Sequence, residues 1–280
     1  MSDGPLRVMT WNLWWRFGPW EQRHPAIVET IRHAAPDVVC LQEVWATEES
    51  DHLDALGDAL GMFTIRDDPV FHSGLAFGNA VMSRWPLERI GFVRLPNREG
   101  EPGHRSVVAA SVDTPWGMWP FASAHLDHRF DASATRSLQM RRLMELGAVW
   151  RGNHERELPL ILGIDVNAVP DSDEVRMATG RRPGVEGIVF SDSWEQVGQG
   201  PGHTWRRGNP YVADSAWPDR RIDYLLVSWP RPKPVGNPVH IECVGLAPVD
   251  VDGVPVVPSD HAALVGDFVV PAELVGEGSA

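Results

Sequence analysis

Short apolar runs, each closed by a polar or turn-forming residue, set the rhythm of this chain. Runs rich in Val, Ile and Leu and bounded by Gly, Pro or Asp cover Leu6–Asn12, Asp37–Val44, Asn79–Ser83, Ser106–Asp113, Met118–His125, Pro159–Asn167, Ile222–Ser228 and His261–Val270. Their length and composition predict β-strands. Between some of them apolar residues recur at helical spacing. Ile27 and Ile31 share a face ahead of Pro36, and Leu53, Leu56 and Leu60 share another that Gly61 closes. Met140, Leu143, Leu146 and Trp150 stripe a third helix, and Asp171 with Glu174 reads as a capping box opening a short fourth. Helices and strands both alternate and cluster, which predicts an α/β protein with mixed sheets in layers. No repeat or linker divides the 280 residues, so 1–270 reads as a single domain. Pro271 to Ala280 lack an apolar period and read as a frayed tail.

Composition narrows the class. Hydrophobic residues make up 43% and charged residues 22%, the proportions of an ordinary globular protein. With 25 basic and 38 acidic residues the formal charge is −13, which argues against a generic nucleic-acid binder, because phosphate affinity needs clustered cations. A local contact through a metal and a few arginines stays open. Lysine is nearly absent and arginine carries the positive charge, favouring fixed, forked contacts over diffuse attraction. Cys40 and Cys243 are the two cysteines. Cys40 lies in an apolar run and reads as a buried thiol, and neither a disulfide framework nor a cysteine-ligated metal is expected. The N-terminal residues show no leader pattern and no stretch approaches a membrane span, so a cytoplasmic location without membrane insertion is the expectation.

The chemistry sits where the runs end. Asn12, Glu43, His125, Asp165 and Asn167 fall at the C-terminal ends of their runs, whereas Asp223, Asp260 and His261 fall at the starts of theirs. In a mixed sheet system these ends are neighbours, so all these side chains can gather on one rim. Asp165 and Asn167 are two apart, and an extended backbone would point them to one face before Pro170 ends the strand. Each residue alone also has an ordinary structural reading. Asn12 and the Asp165–Asn167 pair suit turns, Glu43 suits a solvated strand end, and Asp223 could pair with Arg220 or Arg221. Asp260–His261 suits a cap. It is their joint occurrence in this order that the ordinary readings fail to explain. The inventory of amides, carboxylates and histidines suits a hard divalent cation and a phosphate ester, and suits hydride, acyl or redox chemistry poorly.

The segments Gly163-Ile164-Asp165-Val166-Asn167-Ala168-Val169-Pro170 and Ser259-Asp260-His261 resemble the signatures of the endonuclease/exonuclease/phosphatase family, the DNase I-like metal-dependent phosphoesterases. Ala124-His125-Leu126-Asp127-His128, followed by Arg136 and Gln139, is similar to a His-Leu-Asp-His variant of that family. Gly78-Asn79-Ala80-Val81-Met82-Ser83-Arg84-Trp85-Pro86 resembles one of its strands. The resemblance runs from about Leu6 to Phe268. It implies a four-layered α/β sandwich, with two packed mixed sheets flanked by helices.

It also implies roles. Glu43 and Asp260, with Asn12 beside them, would bind Mg²⁺ or Mn²⁺. Asp165 would position and deprotonate the attacking water. Asn167, His125 and His261 would hydrogen-bond the phosphoryl oxygens, the histidines with their charge raised by nearby carboxylates. Asp223 would orient His261. Arg105, Asp127 and Arg136 are weaker candidates for substrate contact, Arg136 also as a brace for the His125 loop. Trp14, Trp15 and Trp45 lie just past rim motifs and could wall a substrate, although core packing suits most of the thirteen tryptophans better.

The function expected is therefore Mg²⁺- or Mn²⁺-dependent hydrolysis of a phosphodiester or phosphomonoester, with a small molecule or a nucleic acid as substrate. A DNA or RNA nuclease is the alternative and would require a basic rim around the site. A catalytically silent binding module is disfavoured by the complete set of clustered ionisable groups. The loops Met62–Gly78, Arg94–Arg105, Arg181–Tyr211 and Val249–Pro258, where a substrate would be selected, carry no legible motif, and no protein partner can be inferred.

Overall fold

A computed structural model describes residues 4–98, 100 and 103–271. Among these residues two six-stranded sheets pack face to face. The first has strand order β11-β14-β1-β2-β4-β3, built from Leu6–Asn12 (β1), Val38–Ala46 (β2), Phe63–Arg66 (β3), Ala76–Ser83 (β4), Pro238–Val244 (β11) and Ala263–Phe268 (β14). The second has order β5-β6-β7-β8-β10-β9, built from Leu87–Arg94 (β5), Ser106–Thr114 (β6), Gly117–His125 (β7), Ile161–Asp165 (β8), Val189–Asp192 (β9) and Asp223–Trp229 (β10). β1 and β2 run parallel, as do β7 and β8, and the other pairs are antiparallel. A separate hairpin joins Val249–Val251 (β12) to Val254–Val256 (β13).

Three apolar clusters make four layers. Trp20–Ala34 (α1) and His52–Leu60 (α2) cover the outer face of the first sheet, through Ile27, Ile31, Leu53 and Leu56 against Met9, Trp11, Val39 and Leu41. Val8, Val38, Val81, Phe121, Ile161 and Leu225 fill the space between the sheets. Ser133–Trp150 (α3) and Asp173–Ala178 (α4) cover the second sheet, through Met140, Leu143 and Val175 against Ala122, Leu162 and Tyr224. The central strands are apolar on both faces because both faces are covered. A fifth helix, α5, spans Ser193–Val197. No helix among the described residues is long and apolar enough to cross a membrane.

Every strand expected from an apolar run is present, and together these are the inner strands of the two sheets. The strands not expected are the edges, β3, β11, β5 and β9, and the hairpin. An edge strand has neighbours on one side and carries polar residues there, so no continuous run marks it. β5, with exposed Glu88, Arg89 and Ile90, shows this. The capping box is not formed. α4 starts at Asp173, its N-cap Ser172 makes no side-chain cap bond, and Asp171 instead accepts from Arg176 Nη1 at 2.9 Å. Glu174 turns inward to Ser133 and Arg136 because it is fully buried and needs those donors. The tail expected over 271–280 lies, beyond Pro271, outside the described residues.

His52, at the start of α2, is buried with neither ring nitrogen hydrogen-bonded, stacked on Trp45 at 5.3 Å. Burial, with the nearby His24 adding to it, pushes its pKa down to about 3. The unfolded chain therefore binds a proton at His52 between that value and about 6.5 and the folded chain does not, so stability falls as pH drops through this window. Lowering pH from 7.5 to 5 should cost about 2 kcal/mol through this residue. Urea unfolding at the two pH values should show that loss in the native protein and a smaller one in His52→Phe.

Candidate functional site

The predicted rim exists. β1, β2, β7 and β8 end at it, and β10 and the segment before β14 begin at it. Asn12 closes β1, and its side chain faces two ways: Nδ2 donates to Asp165 Oδ2 at 2.9 Å, and Oδ1 accepts from the Trp14 amide at 2.9 Å. Asn12 thus closes a turn and bonds into the cluster at once. Glu43 sits in a bulge of β2, where Leu41 pairs with Ala80 and Val44 with Gly78, leaving Gln42 and Glu43 opposite Asn79. A bulge re-aims a side chain, and Glu43 adopts φ +56°, which non-glycine residues seldom do.

Asp165 ends β8, fully buried at the centre of the cluster. Besides Asn12 it accepts from the Asn167 backbone amide at 2.8 Å, and the imidazole Nε2 atoms of His125 and His261 lie 3.3 and 4.0 Å from Oδ2. Burial, reinforced by the Asp223 carboxylate, pushes its pKa up to about 6. Asn167 does not share a face with Asp165 through an extended backbone, as its spacing suggested. Its φ is +56°, because the Asp165 side chain captures its amide in a tight turn. The turn brings the Asn167 side-chain amide to 3.0 Å from His125 Nε2.

The two histidines differ. His261 Nδ1 lies 2.9 Å from Asp223 Oδ2. Burial alone would lower the pKa of His261, but Asp223, Asp260 and Asp165 outweigh it and hold the pKa well above the usual value, so this ring is a cation. His125 was expected to be charged as well and is not. Burial and the Arg105 guanidinium hold its pKa well below the ordinary value. Arg105 Nη1 reaches His125 Nδ1 at 2.7 Å and Nη2 reaches His128 Nδ1 at 2.9 Å. A guanidinium only donates, so both Nδ1 atoms accept.

Glu43 and Asp260 are also held with raised pKa values, Asp260 at about 6, burial being the main cause in each. Asp260 feels Glu43 as a like charge. Such a donor set fits a hard divalent cation, which would relieve the repulsion and take carboxylate oxygens. The ligand atoms of Asp165, Asp223 and His261 also lie within 4.8 Å of one another, a spacing at which an ion can be held. There, however, His261 Nδ1 is already engaged by Asp223.

Of the weaker candidates, Arg105 stands at the site, beside Glu43, Asp165 and Asp127 in its electrostatic surroundings. Asp127 and Arg136 are placed differently. Asp127 accepts from Arg129 through its carboxylate, and its amide donates to Gln139. Arg136, 5% exposed, is paired with Glu174 and donates to the carbonyls of Asp127 and Arg129. Both hold the loop after His125. Asp223 pairs with His261 and not with Arg221, which pairs with Asp192. Glu43, Arg105 and His128 line a cavity of about 350 Å³ together with Trp15, Phe17 and Phe77. Trp15 thus lines a cavity, whereas Trp14 packs on Tyr211 and Trp45 on His52.

Arg23 was missed. Its guanidinium, 1% exposed, donates to the carbonyls of Leu13, Trp14, Trp15, Phe17 and Pro258. It therefore ties the loop after Asn12 to the loop before Ser259. Ser259 repeats the tie, donating to the Asn12 carbonyl at 2.7 Å and accepting from the His261 amide. The available signal was spacing: Arg23, Ile27 and Ile31 are four apart, which places a cation on the buried face of α1. Replacing Arg23 with Met would leave those carbonyls without their donor and should cost about 3 kcal/mol or more, read as a lowered urea midpoint.

The sequence profile of the Endonuclease/Exonuclease/phosphatase family matches residues 9–261. No curated protein sequence matches significantly. Among solved structures, D. rerio TDP2 complexed with single strand DNA product aligns over 96% of this chain and 100% of its own, with TM-score 0.73 and 18% identity. The human Nocturnin catalytic domain with bound sulfate anion aligns over 95% of each chain, with TM-score 0.67 and 22% identity. An endonuclease/exonuclease/phosphatase from Beutenbergia cavernae aligns over 95% of this chain and 72% of its own, with TM-score 0.67 and 25% identity.

Proposed function

The chain belongs to the Endonuclease/Exonuclease/phosphatase family, whose members are generally phosphoester hydrolases, and from that premise we propose that it is a phosphodiesterase dependent on Mg²⁺ or Mn²⁺. The observation that carries this reading is Asp165: a buried carboxylate with a raised pKa, fixed by Asn12 and the Asn167 amide and flanked by two imidazoles.

Asp165 serves as the base. As a water oxygen forms its bond to phosphorus, one water proton passes to this carboxylate, and the ester oxygen on the opposite side leaves. Asn12 keeps the carboxylate aimed. The His261 imidazolium, oriented by Asp223, donates to a phosphoryl oxygen, and the Asn167 amide supports the same group. Neutral His125 adds a hydrogen-bonding group rather than a charge. Glu43 and Asp260 hold the divalent ion, which supplies charge neutralisation for the phosphoryl oxygens when bound.

A second reading, cleavage of single-stranded nucleic acid, is favoured by the arginines at the site of a chain of charge −13. Arg105 stands beside Glu43 and Asp165, Arg220 lies within the field of Asp165, and Arg94 lines the cavity. D. rerio TDP2, of the same fold, is known with a single strand DNA product.

Bis-p-nitrophenyl phosphate, p-nitrophenyl phosphate, poly(A), oligo-dT and duplex DNA, assayed with Mg²⁺ or Mn²⁺, test both readings. Diester turnover should stop with EDTA and fall about 10²- to 10⁴-fold in Asp165→Asn. EDTA-resistant turnover, or an Asp165→Asn protein of native rate, would refute the mechanism. Calorimetric titration with Mn²⁺ should give clearly weaker binding to Glu43→Ala than to the native protein. Equal affinity would remove Glu43 from the ion site.

A further inference from the structure

A column of planar groups stands beside the phosphate site. The backbone of Trp205 pairs with both Arg220 and His261. The Arg220 guanidinium lies 4.7 Å from the centroid of the Trp205 ring and 4.7 Å from that of Phe130. Phe130 stacks on Trp217, with centroids 4.0 Å apart and planes 16° from parallel. Trp217 covers one face of the phenyl ring, which leaves the other to Arg220. The order is therefore Trp205, Arg220, Phe130, Trp217. The inner end adjoins His261, and the charge of Arg220 feels Asp165.

The outer end is open. Phe130 is 48% and Trp217 45% exposed, although they come from different loops, one following β7 and the other preceding β10. If joining the loops were the sole task, burying the rings would do it better, since exposed apolar surface gives up the stabilisation that burial provides. What remains is a half-exposed indole stacked on Phe130 and backed by alternating ring and cation. Stacking of this kind is how proteins hold unpaired bases, with arginine contributing through its own planar cation. The charge agrees: Arg220, Arg94 and Arg105 gather cations near the site of an otherwise acidic protein. The cavity that Glu43 and Arg105 line together with Trp15, Phe17 and Phe77 gives a second apolar surface. A phosphodiester at Asp165 and Asn167 would thus have two apolar surfaces near it for a planar group. A duplex has its bases already stacked on one another, and a lipid or sugar phosphate has no aromatic plane to offer.

We propose that the open face of Trp217 is a stacking site for a base of single-stranded nucleic acid whose reacting phosphate lies at Asp165 and Asn167. The inference rests on the phosphodiesterase reading above.

Two measurements test it. In the first, kcat/KM is compared for oligo-dT of two to eight nucleotides and for bis-p-nitrophenyl phosphate, in the native protein, Trp217→Leu and Trp217→Tyr. Leucine keeps an apolar contact with Phe130 but has no plane, and tyrosine restores one. The ratio of oligonucleotide to bis-p-nitrophenyl phosphate turnover should fall about five- to a hundredfold in Trp217→Leu, through KM, and largely recover in Trp217→Tyr. In the second, a single-stranded oligonucleotide containing 2-aminopurine is titrated into Asp165→Asn protein. Its fluorescence should be quenched on binding, and the quenching should disappear when Trp217→Leu is added. An unchanged ratio, an equal fall for both substrates, or quenching that survives Trp217→Leu would overturn the stacking site. If the native protein leaves bis-p-nitrophenyl phosphate intact, the phosphodiesterase reading fails instead, and the quenching still decides whether a base stacks on Trp217.

Discussion

The two sheets touch through a glycine. Gly163 in β8 faces β1 and β2 so closely that a Cβ there would lie 2.4 Å from Cys40 Cβ and 2.8 Å from Thr10 Oγ1. Polar bonds cross at the same level: Gln42 Nε2 donates to Ser123 Oγ at 3.0 Å, and Ser123 Oγ donates to the Leu41 carbonyl at 2.7 Å. This contact lies one step below the rim and sets the separation of everything above it. Asn12 and Glu43 belong to one sheet and His125 and Asp165 to the other, yet Asn12 bonds to Asp165 directly. A larger residue at position 163 would push against Cys40 and Thr10 at this level, and the Asn12–Asp165 bond across the two sheets would be the first to feel it.

Closeness gathers like charges, and the fold answers with cations of two kinds. Arg23 stands behind the site, and among the described residues its hydrogen bonds go to carbonyls, so its positive charge stays available to the field of Asp260 and Glu43. Arg105 stands beside His125, and its field adds to burial in keeping that ring neutral. His261, enclosed by Asp223, Asp260 and Asp165, goes the other way. Two buried histidines a few ångströms from one carboxylate therefore hold different charges: burial disfavours the cation in both, a guanidinium adds to that at His125, and carboxylates overcome it at His261.

Much of this arrangement was legible in the sequence, and the exceptions share a cause. The inner strands announce themselves because they are buried on both faces, and the rim residues because they end those strands. Edge strands such as β5 were silent because half their surroundings is water. The charge of His125 was misjudged because the deciding neighbour, Arg105, is twenty residues away in sequence and opens a different strand. Glu174 looked like a helix cap because spacing alone does not reveal that Arg136 waits for it inside. The geometry of Asn167 was misjudged for a local reason: two residues on one extended strand share a face, but a side chain that captures a backbone amide removes the extension.

The last described strand is not an edge. β14 lies between β11 and β1, so the first strand of the chain acquires one of its two neighbours only when residues 263–268 are in place. The order of synthesis and the order of the sheet are therefore in conflict. A chain still being made would present β1 with an unpaired edge and a half-built site, because Ser259, Asp260 and His261 arrive just before β14. Contacts of such long sequence separation form late and slowly, and an open strand edge invites pairing with another chain. The centre is therefore complete only where both ends of this domain have come together: without residues 259–268 the rim lacks Asp260 and His261, and β1 lacks its β14 neighbour.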